Sequence, residues 1–245
     1  MEQIKVKAVG LTHTGLKRAN NEDAYFMNES RGLFIVADGM GGHNAGEIAS
    51  RMAIDCTSKY ILNPPATVID PLEIISNAIK MANTALHEAS SKNYAQKGMG
   101  TTLIIAWTVG GICHLGHVGD VRGYLIRDGK LKLLTKDHSV VGRLVESEHI
   151  TEEEARLHPL RNRLEKAVGT DHQVDPDVTS FEVIHNDLIL LCSDGLWGMI
   201  NDSLIENIID ISVEVGVTRQ RLLENALSAG GQDNITLILV EINHE

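Results

Sequence analysis

The chain has 245 residues, 43% of them hydrophobic, enough for a substantial core in one large domain or two small ones. Lys and Arg number 22 against 33 Asp and Glu, a net charge of −11, so the overall field repels nucleic acid and anionic lipid, and any phosphate chemistry must be organised locally. The start, MEQIKVKAVG, has no basic region followed by an apolar one, and no stretch approaches the roughly 18 apolar residues of a membrane span, so a cytoplasmic protein without a membrane partner is expected.

Residues 3 to 9 alternate, with Ile4, Val6 and Ala8 on one side, and the apolar run from Gly32 to Ala37 stops at Asp38; both predict strands. Residues 45 to 61 place Ile48, Met52, Cys56 and Tyr60 at i, i+4 spacing, which predicts a helix with that stripe buried. Beyond Pro64-Pro65, a second helix follows Pro71 with Leu72, Ile75, Ile79, Ala82 and Leu86 on one side. The period then changes. TTLIIAWTV and ICHLGHV flank Gly110-Gly111, and GYLIR and KLKLLT flank Asp128-Gly129, two hairpin signatures in a row that predict one antiparallel sheet.

Thr151 and Glu154 have capping-box spacing, predicting a short helix that Pro159 stops after His158. DLILLCSDG (187–195) reads as a buried strand, 202–214 and 219–229 as helices, and ITLILVEI (235–242) as a last strand. Helix pairs in one place and strand runs in another indicate an α+β fold. No repeat or Pro/Gly/Ser-rich linker divides residues 1–245, so a single domain is expected. Cys56, Cys113 and Cys192 are widely spaced without CxxC and read as packed thiols of a reducing compartment.

Acidic residues recur at strand ends: Asp38 ends FIVAD, Asp120 ends HVGD, Asp194 ends LLCSD, and Asp233 precedes ITLILV. Any one of these Asp-Gly neighbourhoods reads as a turn. Four carboxylates gathered at one sheet edge would repel one another unless a cation sat among them, and oxygen donors suit Mg²⁺ or Mn²⁺ better than Zn²⁺. Arg18 precedes Glu22 and Asp23 in a polar stretch between two strands; it reads either as a surface partner of Glu22 or as a bidentate phosphate holder.

The motifs RANNED (18–23), VADGMGGH (36–43), GTTL (100–103), HVGDVRGYLIR (117–127), LTKDHS (134–139), LCSDGLW (191–197) and GGQDNIT (230–236) resemble those of the metal-dependent protein phosphatases of the PPM, or PP2C, family. They stand in the family's order, span nearly the whole chain and look most like its compact bacterial Ser/Thr members. The resemblance implies a four-layer α-β-β-α sandwich of two antiparallel sheets flanked by helices, with a metal site at one end. It implies that Asp38 bridges two core Mn²⁺ or Mg²⁺ ions, that Gly39 offers its carbonyl, and that Asp194 and Asp233 complete one shell. Glu22 would hold the other ion, Asp23 would orient these ligands, and Asp120 would bind a third, weaker ion with Asp194.

The activity implied is hydrolysis of phosphoserine and phosphothreonine on proteins by in-line attack of a metal-bridging hydroxide, with Arg18 holding the phosphoryl oxygens and His43 as general acid. Phosphorylated proteins, including a cognate Ser/Thr kinase, would be the partners of a monomeric enzyme. Cys192 lacks the arginine loop of a cysteine phosphatase, so no covalent step is implied.

Val121 stands where the family usually has serine, which removes a hydroxyl near the third-ion site, and Val168 replaces a leucine of the family's ALG. Residues 140–170 correspond to a mobile flap and carry Arg143, Arg156, Arg161 and Arg163, either a solvated face or a docking surface for a phosphorylated loop. Two rival readings are a catalytically silent phosphoprotein-binding relative and a phosphatase dedicated to an anti-sigma-factor antagonist. The first predicts loss of a metal carboxylate and the second often lacks the arginine, whereas Asp38, Asp194, Asp233 and Arg18 are all present.

Overall fold

The computed structural model describes residues 4–41 and 45–244. The chain begins with β1 (Ile4–His13), then a hairpin of β2 (Asp23–Asn28) and β3 (Leu33–Met40). Two long helices follow, α1 (Ala45–Leu62) and α2 (Pro71–Lys92). Asp70 caps α2 by accepting from the Leu72 amide at 3.1 Å, and Pro71 occupies its first turn. Next come β4 (Gly100–Thr101), β5 (Leu103–Val109), β6 (Ile112–Val118), β7 (Arg122–Arg127) and β8 (Lys130–Leu133).

The segment read as a flap contains two short helices, α3 (Val140–Glu146) and α4 (Glu152–Leu157), the second opened by the expected Thr151–Glu154 capping box. The remaining elements are β9 (Asp177–Glu182), β10 (Leu188–Cys192), α5 (Asp194–Trp197), α6 (Asp202–Ile208), α7 (Val215–Ser228) and β11 (Ile235–His244). The two C-terminal helices are thus displaced from the expected spans: α6 stops at Ile208 and α7 starts at Val215.

All strand pairs are antiparallel, in two sheets ordered β1-β11-β10-β7-β8 and β2-β3-β5-β6-β9, with β4 added to β3. The expectation that the two consecutive hairpins share one sheet is therefore wrong. β5-β6 lies in one sheet and β7-β8 in the other, because the chain crosses between them at Gly119-Asp120, where Gly119 has φ 103°. That crossing leaves Asp120 at the end of the sandwich.

Three apolar layers hold the assembly. Leu33, Ile35 and Ala37 of β3 face α1 and α2, while the alternate residues Phe34 and Val36 face Ile189, Leu191, Ile238 and Val240 of the opposite sheet. Leu190, Leu237 and Leu239 pack outward beneath α5, α6 and α7. Strands covered on both faces are continuously apolar, which is why 34–37 shows no alternation.

The buried stripe of α1 differs from the one expected. Ala45, Ala49 and Ala53 lie against the sheet with Ile54 and Ile61, whereas Ile48 is 39% exposed and Met52, Cys56 and Tyr60 flank the contact. Small residues let the helix lie close to β3: a Cβ on Gly39 would stand 2.0 Å from the Gly46 carbonyl oxygen. Cys113 and Cys192 are buried free thiols and Cys56 is half-buried. Val121 is packed in the layer between the sheets, and Val168 is buried beside α2, so both departures from the family pattern are accommodated as packing.

Candidate active site

One end of the sandwich collects the acidic residues. Asp23 opens β2 directly opposite Asp38 of β3, Asp120 lies in the crossing between the sheets, Asp194 follows β10, and Asp233 precedes β11. β3 runs two residues past Asp38, because Gly39 and Met40 pair with Thr101 and Gly100. Thr101 and Thr102 pin the Asp38 backbone: the Thr101 hydroxyl and the Thr102 amide donate to its carbonyl at 2.7 and 2.8 Å.

The loop bearing Arg18 and Glu22, which leads from β1 to β2, is held by Asn234 at the start of β11. Its Nδ2 donates to the carbonyls of Thr14 and Asn20, each at 2.9 Å, and its Oδ1 accepts from the Glu22 amide at 2.8 Å. The Glu22 carbonyl in turn accepts from Ser50 Oγ at 2.6 Å and from the Gly39 amide at 3.1 Å, while the Gly46 amide, in the first turn of α1, donates to the Glu22 carboxylate. Gly39 is required where three chain segments meet, since a Cβ there would also stand 2.7 Å from the Glu22 carbonyl.

The electrostatics are strained. Desolvation first, then the charges of Asp23, Asp194, Asp120 and Asp233, hold the Asp38 carboxyl well above the usual carboxylate range. Desolvation and Asp194 do the same to Asp120, and Asp194 is pushed up to about 6 by desolvation and Asp233. Asp23 is buried and pushed up to about 7 by desolvation, against hydrogen bonds with Thr236 and Ser193; Ser193 Oγ donates to its Oδ2 at 2.7 Å. Glu22 is raised by desolvation and partly relieved by Arg18. Arg18, half exposed, donates to Asp233 Oδ2 at 2.6 Å and so pairs with Asp233, not with Glu22.

Two buried carboxylate oxygens, Asp23 Oδ1 and Asp194 Oδ1, have no hydrogen-bond partner. Among the described residues no three carboxylate, histidine or cysteine groups converge as a ready-made ligand cluster; Asp233 is turned to Arg18. The donor set nevertheless fits hard divalent cations: oxygen ligands only, mutually repelling, with buried lone pairs facing no donor. Asp38, Gly39, Asp194, Asp233, Glu22, Asp120 and Asp23 are all brought to this end. His43 lies outside the described residues.

A second constellation adjoins it. Arg122 is buried, donates to both oxygens of Asp137 at 2.8 to 3.3 Å, and stacks 3.8 Å from the centre of the Trp197 ring. Trp197 Nε1 donates to the Asp120 carbonyl at 3.0 Å, and Arg156 of α4 donates to the Trp197 carbonyl. Of the flap arginines, Arg156 thus turns inward, Arg143 pairs with Glu165 at 2.9 Å, and Arg161 and Arg163 are exposed. Sequence reasoning assigned no role to Asn234, Thr101, Thr102, Ser193, Arg122 or Trp197, although every one lies inside a quoted motif; that placement was the available signal.

The family model described as protein phosphatase 2C matches residues 10–219. The chain belongs to the protein phosphatase 2C family. Among its relatives, serine/threonine protein phosphatase PstP of Mycobacterium tuberculosis is 40% identical over 228 residues, 93% of this chain. This chain spans only 43% of that relative's length. Protein phosphatase PhpP of Streptococcus pneumoniae is 36% identical over 239 residues, 96% of this chain and 97% of PhpP. A crystal structure of the M. tuberculosis serine/threonine phosphatase PstP/Ppp superposes with a TM-score of 0.90 at 38% identity, covering 98% of this chain and 100% of that one. The catalytic domain of PstP in complex with two manganese ions gives 0.88 at 36% identity over 98% of this chain and 100% of that one. The family thus carries the sandwich described above, and divalent metal accompanies it in a relative.

Proposed function

We propose that this 2C-family chain is a metal-dependent protein serine/threonine phosphatase. The observation that carries the reading is the set of mutually repelling carboxylates, two with buried unpartnered oxygens, gathered beside the Arg18 guanidinium. Asp38, the Gly39 carbonyl, Asp194, Asp233 and Glu22 would hold two core Mn²⁺ or Mg²⁺ ions, and Asp120 with Asp194 a third. Bound ions supply Lewis acidity and positive charge to a phosphoryl transfer to water.

The chain's own residues divide the remaining work. Arg18, whose planar guanidinium now serves Asp233, exchanges that carboxylate for two oxygens of the substrate's phosphoryl group and orients it for in-line displacement. Asp23, tied to Ser193, positions the neighbouring Asp38. Asn234 fixes the Arg18–Glu22 loop against the start of β11. His43 protonates the departing seryl or threonyl oxygen, a role assigned on the VADGMGGH motif alone.

The substrates are phosphoproteins, including a cognate Ser/Thr kinase, and the enzyme works as a cytoplasmic monomer built on one catalytic domain. No helix among the described residues is long and apolar enough to cross a membrane. Release of inorganic phosphate from a phosphothreonine peptide tests the reading: EDTA should abolish it and added Mn²⁺ restore it. Turnover unaffected by EDTA would refute the metal-dependent assignment.

A further inference from the structure

A cavity of about 620 Å³ opens from Asp120, Asp194 and Asp233 and continues beneath the flap helices α3 and α4. Its volume falls in the range of roughly 300–1,000 Å³ typical of ligand pockets, and it extends well past the carboxylates that would face a phosphoryl group. The extension is walled by Leu133, Val141, Val145, Leu157, Trp197 and Met199.

The cations lining this extension are almost all committed. Arg122 is neutralised by Asp137 and stacked on Trp197, Lys136 pairs with Glu146, and Arg156 is bonded to the Trp197 carbonyl. Arg161 is exposed and has no ion pair among the described residues. Glu146 and Glu152 add carboxylates to the lining. An acidic ligand group entering here meets apolar walls and like charge, and the one uncommitted cation of the lining among the described residues, Arg161, is exposed and screened by water, so little offsets the hydration lost. An aliphatic or aromatic group gains burial.

Resting on the phosphatase reading, we propose that this extension is a specificity subsite for an apolar side chain next to the phosphoresidue of the protein substrate. Continuity with Asp120, Asp194 and Asp233 points to the occupant, because a chain whose phosphoryl group lies at those carboxylates presents its neighbouring side chain to the cleft under α4. The wall is held in place by the bond from Arg156 to Trp197 and by Glu152, which reaches Arg122 at 3.4 Å.

The test uses the wild-type chain with Mn²⁺ and phosphothreonine peptides carrying Leu, Ala or Glu in turn at each position beside the phosphothreonine. At one flanking position, Leu should raise kcat/KM about tenfold over Ala, the scale a shaped apolar pocket gives, with Glu below Ala. Leu157 is 85% exposed, so Leu157→Ser removes no core packing, and it should draw the Leu/Ala ratio toward one. An aryl phosphate, which has no flanking residue, reports the catalytic centre separately. If the aryl phosphate is hydrolysed but no position prefers Leu, or Glu is preferred, or the ratio persists in Leu157→Ser, the subsite is refuted and the phosphatase reading stands. If neither the peptides nor the aryl phosphate is hydrolysed, both fall.

Discussion

Asn234→Ala should loosen the catalytic end of the sandwich. Asn234 is 4% exposed and its side chain makes three hydrogen bonds, to the carbonyls of Thr14 and Asn20 and from the amide of Glu22. At a net of about 1 kcal/mol each, their loss amounts to about 3 kcal/mol. Asn20 is exposed and Thr14 half-buried, so water recovers part of this, and we expect a loss of about 2 kcal/mol in urea denaturation. The same change frees the loop that carries Arg18 and Glu22, so kcat/KM on a phosphopeptide should fall by about tenfold or more. Asn234→Asp keeps the acceptor but sets a buried carboxylate against the Thr14 and Asn20 carbonyls beside the acidic cluster, and should be at least as destabilising as alanine at neutral pH. A loss under about 0.5 kcal/mol with unchanged kcat/KM would refute the loop's dependence on this side chain.

Gly39→Ala places a methyl group against two backbone carbonyls, at 2.0 and 2.7 Å, and should cost about 2–3 kcal/mol in thermal or urea unfolding; a wild-type melting temperature would contradict the crowding. His117 and His138 stack with ring centres 4.6 Å apart, and His138 Nδ1 accepts from the Gly119 amide at 3.2 Å. Desolvation lowers both imidazoles below their usual value, so at these two positions the folded state binds fewer protons than the unfolded one. Their contribution is complete above the unfolded value of about 6.5 and is lost as pH falls toward the lowered folded values. The raised carboxylates at the end of the sandwich act in the opposite sense, so the test is a difference: His138→Asn, which retains an acceptor for Gly119, should lose less stability than wild type on acidification below that point, and an unchanged difference counts against it. His43→Ala should reduce turnover of phosphothreonine peptides more than that of an aryl phosphate, whose leaving group needs little protonation, and equal losses would remove His43 from the acid role.

Much of the architecture was legible because local rules sufficed. The Thr151–Glu154 cap and the Pro71 helix start depend on neighbours within a few residues. Partner choice between strands does not: the two hairpins were readable, but their assignment to different sheets depends on the turn at Gly119. β9 was missed because DVTSFE is exposed apart from a half-buried Phe181 and lacks an apolar face. The stripe of α1 was misread because Ala45, Ala49 and Ala53 win by closeness of approach to β3, not by hydrophobicity.

The site shows the same division. Carboxylates at strand ends signal themselves in the sequence, since a charge ending an apolar run is costly unless something uses it. The residues that hold them, Asn234, Thr101 and Thr102, act on backbone groups far away along the chain, and nothing in their local sequence names those partners.

The most direct test of the central claim combines Mn²⁺ titration calorimetry with phosphate release for wild type and Asp38→Ala. Asp38 is the carboxylate most surrounded by others, next to Asp23, Asp194, Asp120 and Asp233. Wild type should bind Mn²⁺ and dephosphorylate a phosphothreonine peptide, and the folded variant should lose both together. A variant that retains wild-type binding and turnover would contradict the account.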